Sequence, residues 1–166
     1  MTSPVKTRLD NHLSRITAQR DMLNLIAADS LLPETGAILE LGLGNGRTYS
    51  HILDRFAGRR IVVFDRVVAS HGTSTPPEED LILGEISETA AAYAKADAAM
   101  VHADIGTGYP DKDAKIMGWL PQVVVDLLTP GGVALAGLEL VHQSLLPLDL
   151  PEGIGSDRYY AYRKSV

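Results

Sequence analysis

Cysteine is absent from all 166 residues. That excludes disulfides, thiolate zinc sites and a cysteine nucleophile. No apolar stretch approaches the ~18 to 20 residues that cross a bilayer, and Met-Thr-Ser-Pro-Val-Lys at the start lacks the apolar core of a signal peptide. Basic runs are also missing, the pair Arg59 and Arg60 aside, and the net charge is −6. A phosphate-backbone partner needs a clustered basic surface, so neither nucleic acid nor a membrane is expected. No set of side chains stands out at metal-ligand spacing, and there is no internal repeat or low-complexity segment. What remains is ordinary globular composition, 45% apolar and 22% charged. One cytoplasmic domain spanning 1–166 is expected, able to bury roughly two-thirds of its unfolded surface; a homo-oligomer stays open.

The most informative stretch is Ala37-Ile-Leu-Glu-Leu-Gly-Leu-Gly-Asn-Gly-Arg-Thr48. The apolar run Ala37 to Leu41 reads as a strand and leads into Gly42, Gly44 and Gly46. Tyr49, Ile52, Leu53 and Phe56 then repeat at helical spacing. Strand, glycine turn and helix together aim free backbone N–H groups at a ligand. The dinucleotide fingerprint wants its third glycine at the sixth position, where this chain has Arg47. Glu40, two residues before the first glycine, also opposes a diphosphate. A carboxylate about 5 Å from such a charge costs roughly 3 kcal/mol at an effective dielectric of about 20. An ammonium or sulfonium ligand would find the same carboxylate favourable.

Along the chain, 7–30 reads as a long amphipathic helix with Leu9, Leu13, Ile16, Leu23 and Ala27 on its apolar face. Arg20 interrupts that face. Either its stem lies on the core edge with its head in water, or the helix covers a ligand cleft and Arg20 meets a carboxylate, that of Glu40 or of a cofactor. Arg8, Asn11, Arg15 and Gln19 share an adjacent polar face, which reads as solvated, with a substrate-facing stripe as the alternative. A second, continuously apolar strand ends at Asp65, about twenty residues past the glycine turn, where a carboxylate can accept both hydroxyls of a ribose. Residues 66–80 offer little for a helix and read as loop. Leu81–Leu83 is a third strand, and an alanine-rich helix is expected over 87–97. The fourth strand, Ala98 to Ala103, ends at Asp104; its His102 reads as a packed core histidine. Lys115 to Leu128 is an apolar helix broken by Pro121. Thr129-Pro-Gly-Gly then turns into a fifth strand over 133–137. Two further strands, 144–150 and 159–164, are joined by Pro-Glu-Gly-Ile-Gly-Ser-Asp.

Glu-Leu-Gly-Leu-Gly-Asn-Gly resembles the first motif of the class I S-adenosylmethionine (SAM) dependent methyltransferases, here of a small, bacterial-type form. Gly84-Glu85-Ile86 resembles that family's third motif, and Leu-Leu-Thr-Pro-Gly-Gly-Val-Ala-Leu-Ala its late helix–turn–strand. The resemblance covers about 37–137. It implies an α/β, doubly wound, mostly parallel Rossmann-like sheet of seven strands with an antiparallel C-terminal strand, trimmed towards that end. It further implies that SAM is the cofactor and that Gly42, Gly44 and Gly46 form its turn. Asp65 would then be the ribose acid, with Arg66 beside the adenine and Glu85 and the Ile86 N–H on the adenine edge. Glu85 also suits the helix dipole. Asp104 lies nearest the transferred methyl, as catalytic candidate and cofactor neighbour, or else is a loop aspartate. Tyr109 either lines the acceptor pocket or packs a turn.

An activated methyl mainly needs its nucleophile held in line. The Asn-Pro-Pro-Tyr and Asp-Pro-Pro-Tyr runs of the amide- and amine-methylating families are missing, and without cysteine the covalent route to carbon-5 pyrimidine methylation is closed. A small-molecule acceptor follows by elimination. A SAM-binding protein without its own catalysis and a nicotinamide-dependent oxidoreductase stay as alternatives.

Overall fold

A computed structural model describes residues 5–154 and 159–166. Seven strands form one sheet: β1 (Ile38–Leu41), β2 (Ile61–Asp65), β3 (Leu81–Leu83), β4 (Ala98–Ala103), β5 (Leu128–Ala136), β6 (Leu145–Pro147) and β7 (Tyr160–Lys164). Their order across the sheet is β3-β2-β1-β4-β5-β7-β6. β1 to β5 run parallel, and β7 lies antiparallel between β5 and β6. The chain reverses direction across the sheet between β3 and β4, and such a switch point opens a crevice at the carboxyl ends of the strands.

Helices cover both faces, which is why the central strands are apolar without interruption. On one face Ile38, Ile61, Val63, Met100, Val133 and Leu135 pack against α1 (Arg8–Ala28) and α2 (Arg47–Arg55). On the other, Leu39, Leu41, Phe64, Val101 and Ala134 meet a core that includes Leu120, Val124 and Leu127. These three belong to α5 (Leu120–Leu127), which follows α4 (Pro110–Met117). Among the described residues, no helix is long and apolar enough to cross a membrane.

Several local expectations need correction. α1 starts at a capping box between Thr7 and Asp10, but it buries Ala18, Gln19, Met22, Leu23 and Ile26. Leu9 and Leu13 stay 65% and 49% exposed. Only the second half of the helix lies on the sheet, so the periodicity of the first half carries no core information. The alanine-rich segment makes one α-turn, α3 (Ile86–Thr89), and a 3₁₀ turn at Ala91–Tyr93, then left-handed residues at Lys95 and Asp97. Of its alanines only Ala90 is fully buried, and a helix without an apolar stripe gains little from packing. β5 begins at Leu128, ahead of the expected turn. The turn survives as an irregularity, since Ala98 pairs with Leu128 whereas Met100 pairs with Val133. The stretch 66–80 holds two 3₁₀ turns, as its composition suggests. Of the expected link between the last strands, 155–157 lies outside the described residues.

The helix correction separates two substitutions. Met22→Ala, at a site 1% exposed, should cost about 2–5 kcal/mol, whereas Leu9→Ala should stay within about 0.5 kcal/mol. Urea unfolding of both variants gives the ranking, and the reverse order would restore the periodicity-based face.

Candidate active site

The turn after β1 is built by backbone with positive φ at Gly42, Gly44 and Gly46, which glycine adopts without strain. Gly46 has φ of 83° and starts α2, and a Cβ there would lie 2.4 Å from the Ser74 carbonyl oxygen. Gly44 has φ of 53° with no atom within 4 Å of its Cβ direction, so its surface stays open. The Leu43 and Gly44 N–H groups donate to Oδ2 of Asp65 at 2.8 and 3.1 Å, and the Arg66 N–H donates to Oδ1 at 2.6 Å. Thus the aspartate ending β2 orders the turn after β1, a consequence of the register that pairs Leu41 with Phe64.

A cleft of about 640 Å³ opens beside this turn. It gathers Gly42, Gly44, Asp65, Arg66, Glu85, Ile86 and Asp104 from four successive strand ends, with Trp119 and Ile116 as its apolar wall. Arg66 Nη1 lies 3.7 Å from Glu85 Oε1. Three residues expected at the site stand elsewhere. Gly46 shapes the turn behind the cleft without edging it. Glu40 is buried beneath the turn, 1% exposed, because alternation along β1 points it at α1 and not into the crevice. Arg20 does not meet Glu40: its guanidinium bonds Asp21 at 2.8 and 2.9 Å and is 60% exposed. The helix turns residues 19, 22, 23 and 26 inward, which leaves 20 on the outside.

A strand-end carboxylate is met instead by an arginine five residues earlier in α1. Arg15 donates to Oδ1 of Asp104 at 2.7 Å, and Gln19 donates to Oδ2 at 3.0 Å. Gln19 also donates to the Tyr159 hydroxyl at 3.1 Å, and that hydroxyl contacts Nε2 of His102. Nδ1 of His102 lies 3.5 Å from Oε1 of Glu40, its cross-strand partner. Glu40 Oε2 has no hydrogen-bond partner among the described residues. A polar chain thus runs inward from the cleft edge to the sheet interior.

Burial raises the Glu40 pKa, outweighing the favourable influence of His102. Burial also pushes the Tyr159 hydroxyl well up, and the charge of Asp104 adds to the effect. For Asp104 burial acts upward too, but His102, Arg15 and Gln19 together hold its carboxyl below the usual range. Asp104 is therefore a fixed anion with both oxygens engaged, a weak acceptor of protons near neutrality.

The sequence marks Asp65, Glu85 and Asp104 as strand-end acids but leaves Arg15 and Gln19 on a stripe that is either solvated or substrate-facing, and does not tie them to Asp104. The available signal was the i, i+4 spacing of these two within the stripe Arg8, Asn11, Arg15, Gln19. Gly137 was not singled out either. A Cβ on it would sit 2.9 Å from Asp104 Oδ1 and 4.0 Å from Arg15 Nη1, so a side chain here would crowd the ion pair.

A pH experiment tests the burial of Glu40. Its folded pKa is raised above the ordinary value of 4.5, so its contribution is fully present below that value and is lost as pH rises through the raised one. Glu40→Gln should therefore gain stability relative to wild type as pH climbs from the carboxylate range towards neutrality. Unfolding free energies of both proteins across pH measure this, and a pH-independent difference would refute it.

Comparison with known proteins accords with this geometry. Residues 6–164 match the model of the S-adenosyl-L-methionine methyltransferase family. A solved S-adenosyl-L-methionine methyl transferase from Silicibacter pomeroyi DSS-3 is 38% identical, with a TM-score of 0.86, over 96% of this chain and 100% of that one. More distant structures share the fold. A TehB-like SAM-dependent methyltransferase from Corynebacterium glutamicum has 12% identity, coverage of 94% and 97%, and a TM-score of 0.52. The Burkholderia thailandensis 1,6-didemethyltoxoflavin-N1-methyltransferase, with bound 1,6-didemethyltoxoflavin and S-adenosylhomocysteine, has 17% identity, coverage of 100% and 94%, and a TM-score of 0.50. No curated protein matches the chain. With the family matched over nearly its whole length, the chain belongs to the S-adenosyl-L-methionine methyltransferases.

Proposed function

We propose that this methyltransferase holds SAM in the cleft edged by Gly42, Gly44, Asp65, Arg66, Glu85, Ile86 and Asp104, and that it methylates a small molecule. We take 1–166 as one domain, with the 7–30 helix as part of its site. The observation that carries the reading is the union, in one cleft of about 640 Å³, of bare turn backbone and acids from three strand ends. The residues fit the cofactor. Gly44 presents open backbone with nothing in front of it, and three carboxylates suit a cationic ligand better than a diphosphate.

The bound cofactor supplies a methyl group already activated by positive sulfur. The protein's task is then placement and exclusion of water. Asp65, pre-oriented by three backbone N–H groups, takes the ribose hydroxyls. Glu85 and the Ile86 N–H address the adenine edge, with Arg66 beside it. Asp104, clamped by Arg15 and Gln19, orients groups near the methyl and does not remove a proton. Such an arrangement suits a nucleophile that arrives with a free lone pair. A second cavity of about 640 Å³ runs on from the cleft past Asp104, Gly106 and Thr107. Its size is that of a small-molecule site.

Asp65→Ala should weaken SAM binding by about 1.5–3 kcal/mol, because a charge-assisted contact is lost. Titration calorimetry with SAM, S-adenosylhomocysteine and NAD reads the effect; NAD should not bind. Unchanged SAM affinity in the variant would move the adenosine away from Asp65.

A further inference from the structure

We propose that the acceptor is a small anion, carrying a carboxylate or phosphate group that the N-terminal half of α1 binds in the second cavity. The inference rests on the cofactor cleft proposed above, which fixes where the methyl group arrives. The cavity shares Asp104 with the cofactor cleft but none of the turn glycines, and Arg8, Asn11, His12 and Arg15 are among the residues that line it. These four lie on a single helix face over about two turns, with neighbours at i, i+3 and i, i+4 spacings that bring side chains together. Leu138 provides an apolar wall.

The balance of satisfied charge gives the sign of the ligand. Among the described residues two carboxylates line this cavity, and both are engaged. Asp104 is held by Arg15 and Gln19. Asp113 accepts from the Thr107 N–H at 2.7 Å, the Thr107 hydroxyl at 2.8 Å and the Gly108 N–H at 3.1 Å. Arg8 has no ion-pair partner among the described residues, and neither the side chain of Asn11 nor that of His12 has a hydrogen bond among them. Arg15 spends one nitrogen on Asp104 and remains 32% exposed. The unspent groups on this wall are thus mainly donors, and an arginine fork matches a carboxylate or phosphate. This gathering of donors is local in a chain whose net charge is −6.

Geometry also assigns the anion an orientation. Asp104, Gly106 and Thr107 are shared between the cavity and the cofactor cleft, whereas Arg8 belongs to the cavity alone. The nucleophile therefore lies towards Asp104 and Gly106, with the anionic group at the Arg8 end. Arg15 also edges a smaller space beside Gly44, Asn45 and Arg47, where it can meet a cofactor as well, so Arg8 is the diagnostic residue.

The test uses full-length protein loaded with S-adenosylhomocysteine and ligand-observed NMR. The probes are amine- and hydroxyl-bearing carboxylic acids, each paired with its carboxamide, and phosphate monoesters paired with their dephosphorylated alcohols. At least one acid or phosphate should bind at least tenfold tighter than its neutral partner, and which class wins identifies the anion. Arg8→Glu should weaken that probe about tenfold or more, the scale of a charge-assisted contact, and Arg8→Lys should restore part of it. S-adenosylhomocysteine affinity should hold in both variants, and circular dichroism confirms their folding. Equal binding of neutral and anionic partners, no binding of any anion, or an Arg8→Glu variant that binds as wild type does would each overturn the proposal while leaving the cofactor cleft standing. Failure of S-adenosylhomocysteine to bind wild type would instead overturn the cleft, and this inference with it.

Discussion

The clamp on Asp104 decides how the first helix lies on the sheet, and the shape of the strand-end crevice follows from that. One carboxylate at the end of β4 receives a guanidinium from Arg15 at 2.7 Å and an amide from Gln19 at 3.0 Å, both from α1. The contacts span 89 and 85 residues of sequence, so they fix a helix that local propensity leaves free to rotate. With the helix so placed, its second half packs on the sheet while its first half projects over the crevice. Asp104 is then shared between the cleft of the glycine turn and the arginine-lined cavity.

Beneath Asp104 the polar chain continues through Gln19, Tyr159 and His102 to Glu40. Its members come from α1, from beside β7, and from β4 and β1, so it ties the covering helix to three positions along the sheet. Buried polar groups cost stability unless partnered, and Glu40 remains incompletely satisfied. Its carboxyl compensates by a raised pKa. The Asp104 carboxyl shifts the other way: it is only partly buried, and a guanidinium and an amide are added to the influence of His102. Two acids of one network thus shift in opposite directions: Glu40 because it is fully buried with one weak partner, Asp104 because it is shallower and has three.

The contrast between Asp65 and Glu40 shows how strand geometry allots roles. Both sit near the carboxyl end of a central strand. Asp65 is the last residue of β2 and reaches back to the N–H groups of Leu43 and Gly44. Glu40 shares a sheet face with Asp65 by alternation but stands level with Val63, inside the sheet and under α1. Two residues of register, the step from the level of Val63 to that of Asp65, separate a side chain at the cleft from a side chain in the interior.

By itself the sequence determined the strands, the glycine turn and the acids at their ends, because continuous apolar runs closed by glycine or aspartate are local signals. Even the poor helix between β2 and β3 was legible in its prolines and threonines. Tertiary structure alone decided which face of α1 is buried, that Arg15 and not Arg20 meets a carboxylate, that Glu40 turns inward, and that the alanine-rich segment stops after one turn. Each of these depends on what lies across the gap from a residue. Periodicity reports where side chains point relative to one another along a helix or strand, and only packing reports what they meet.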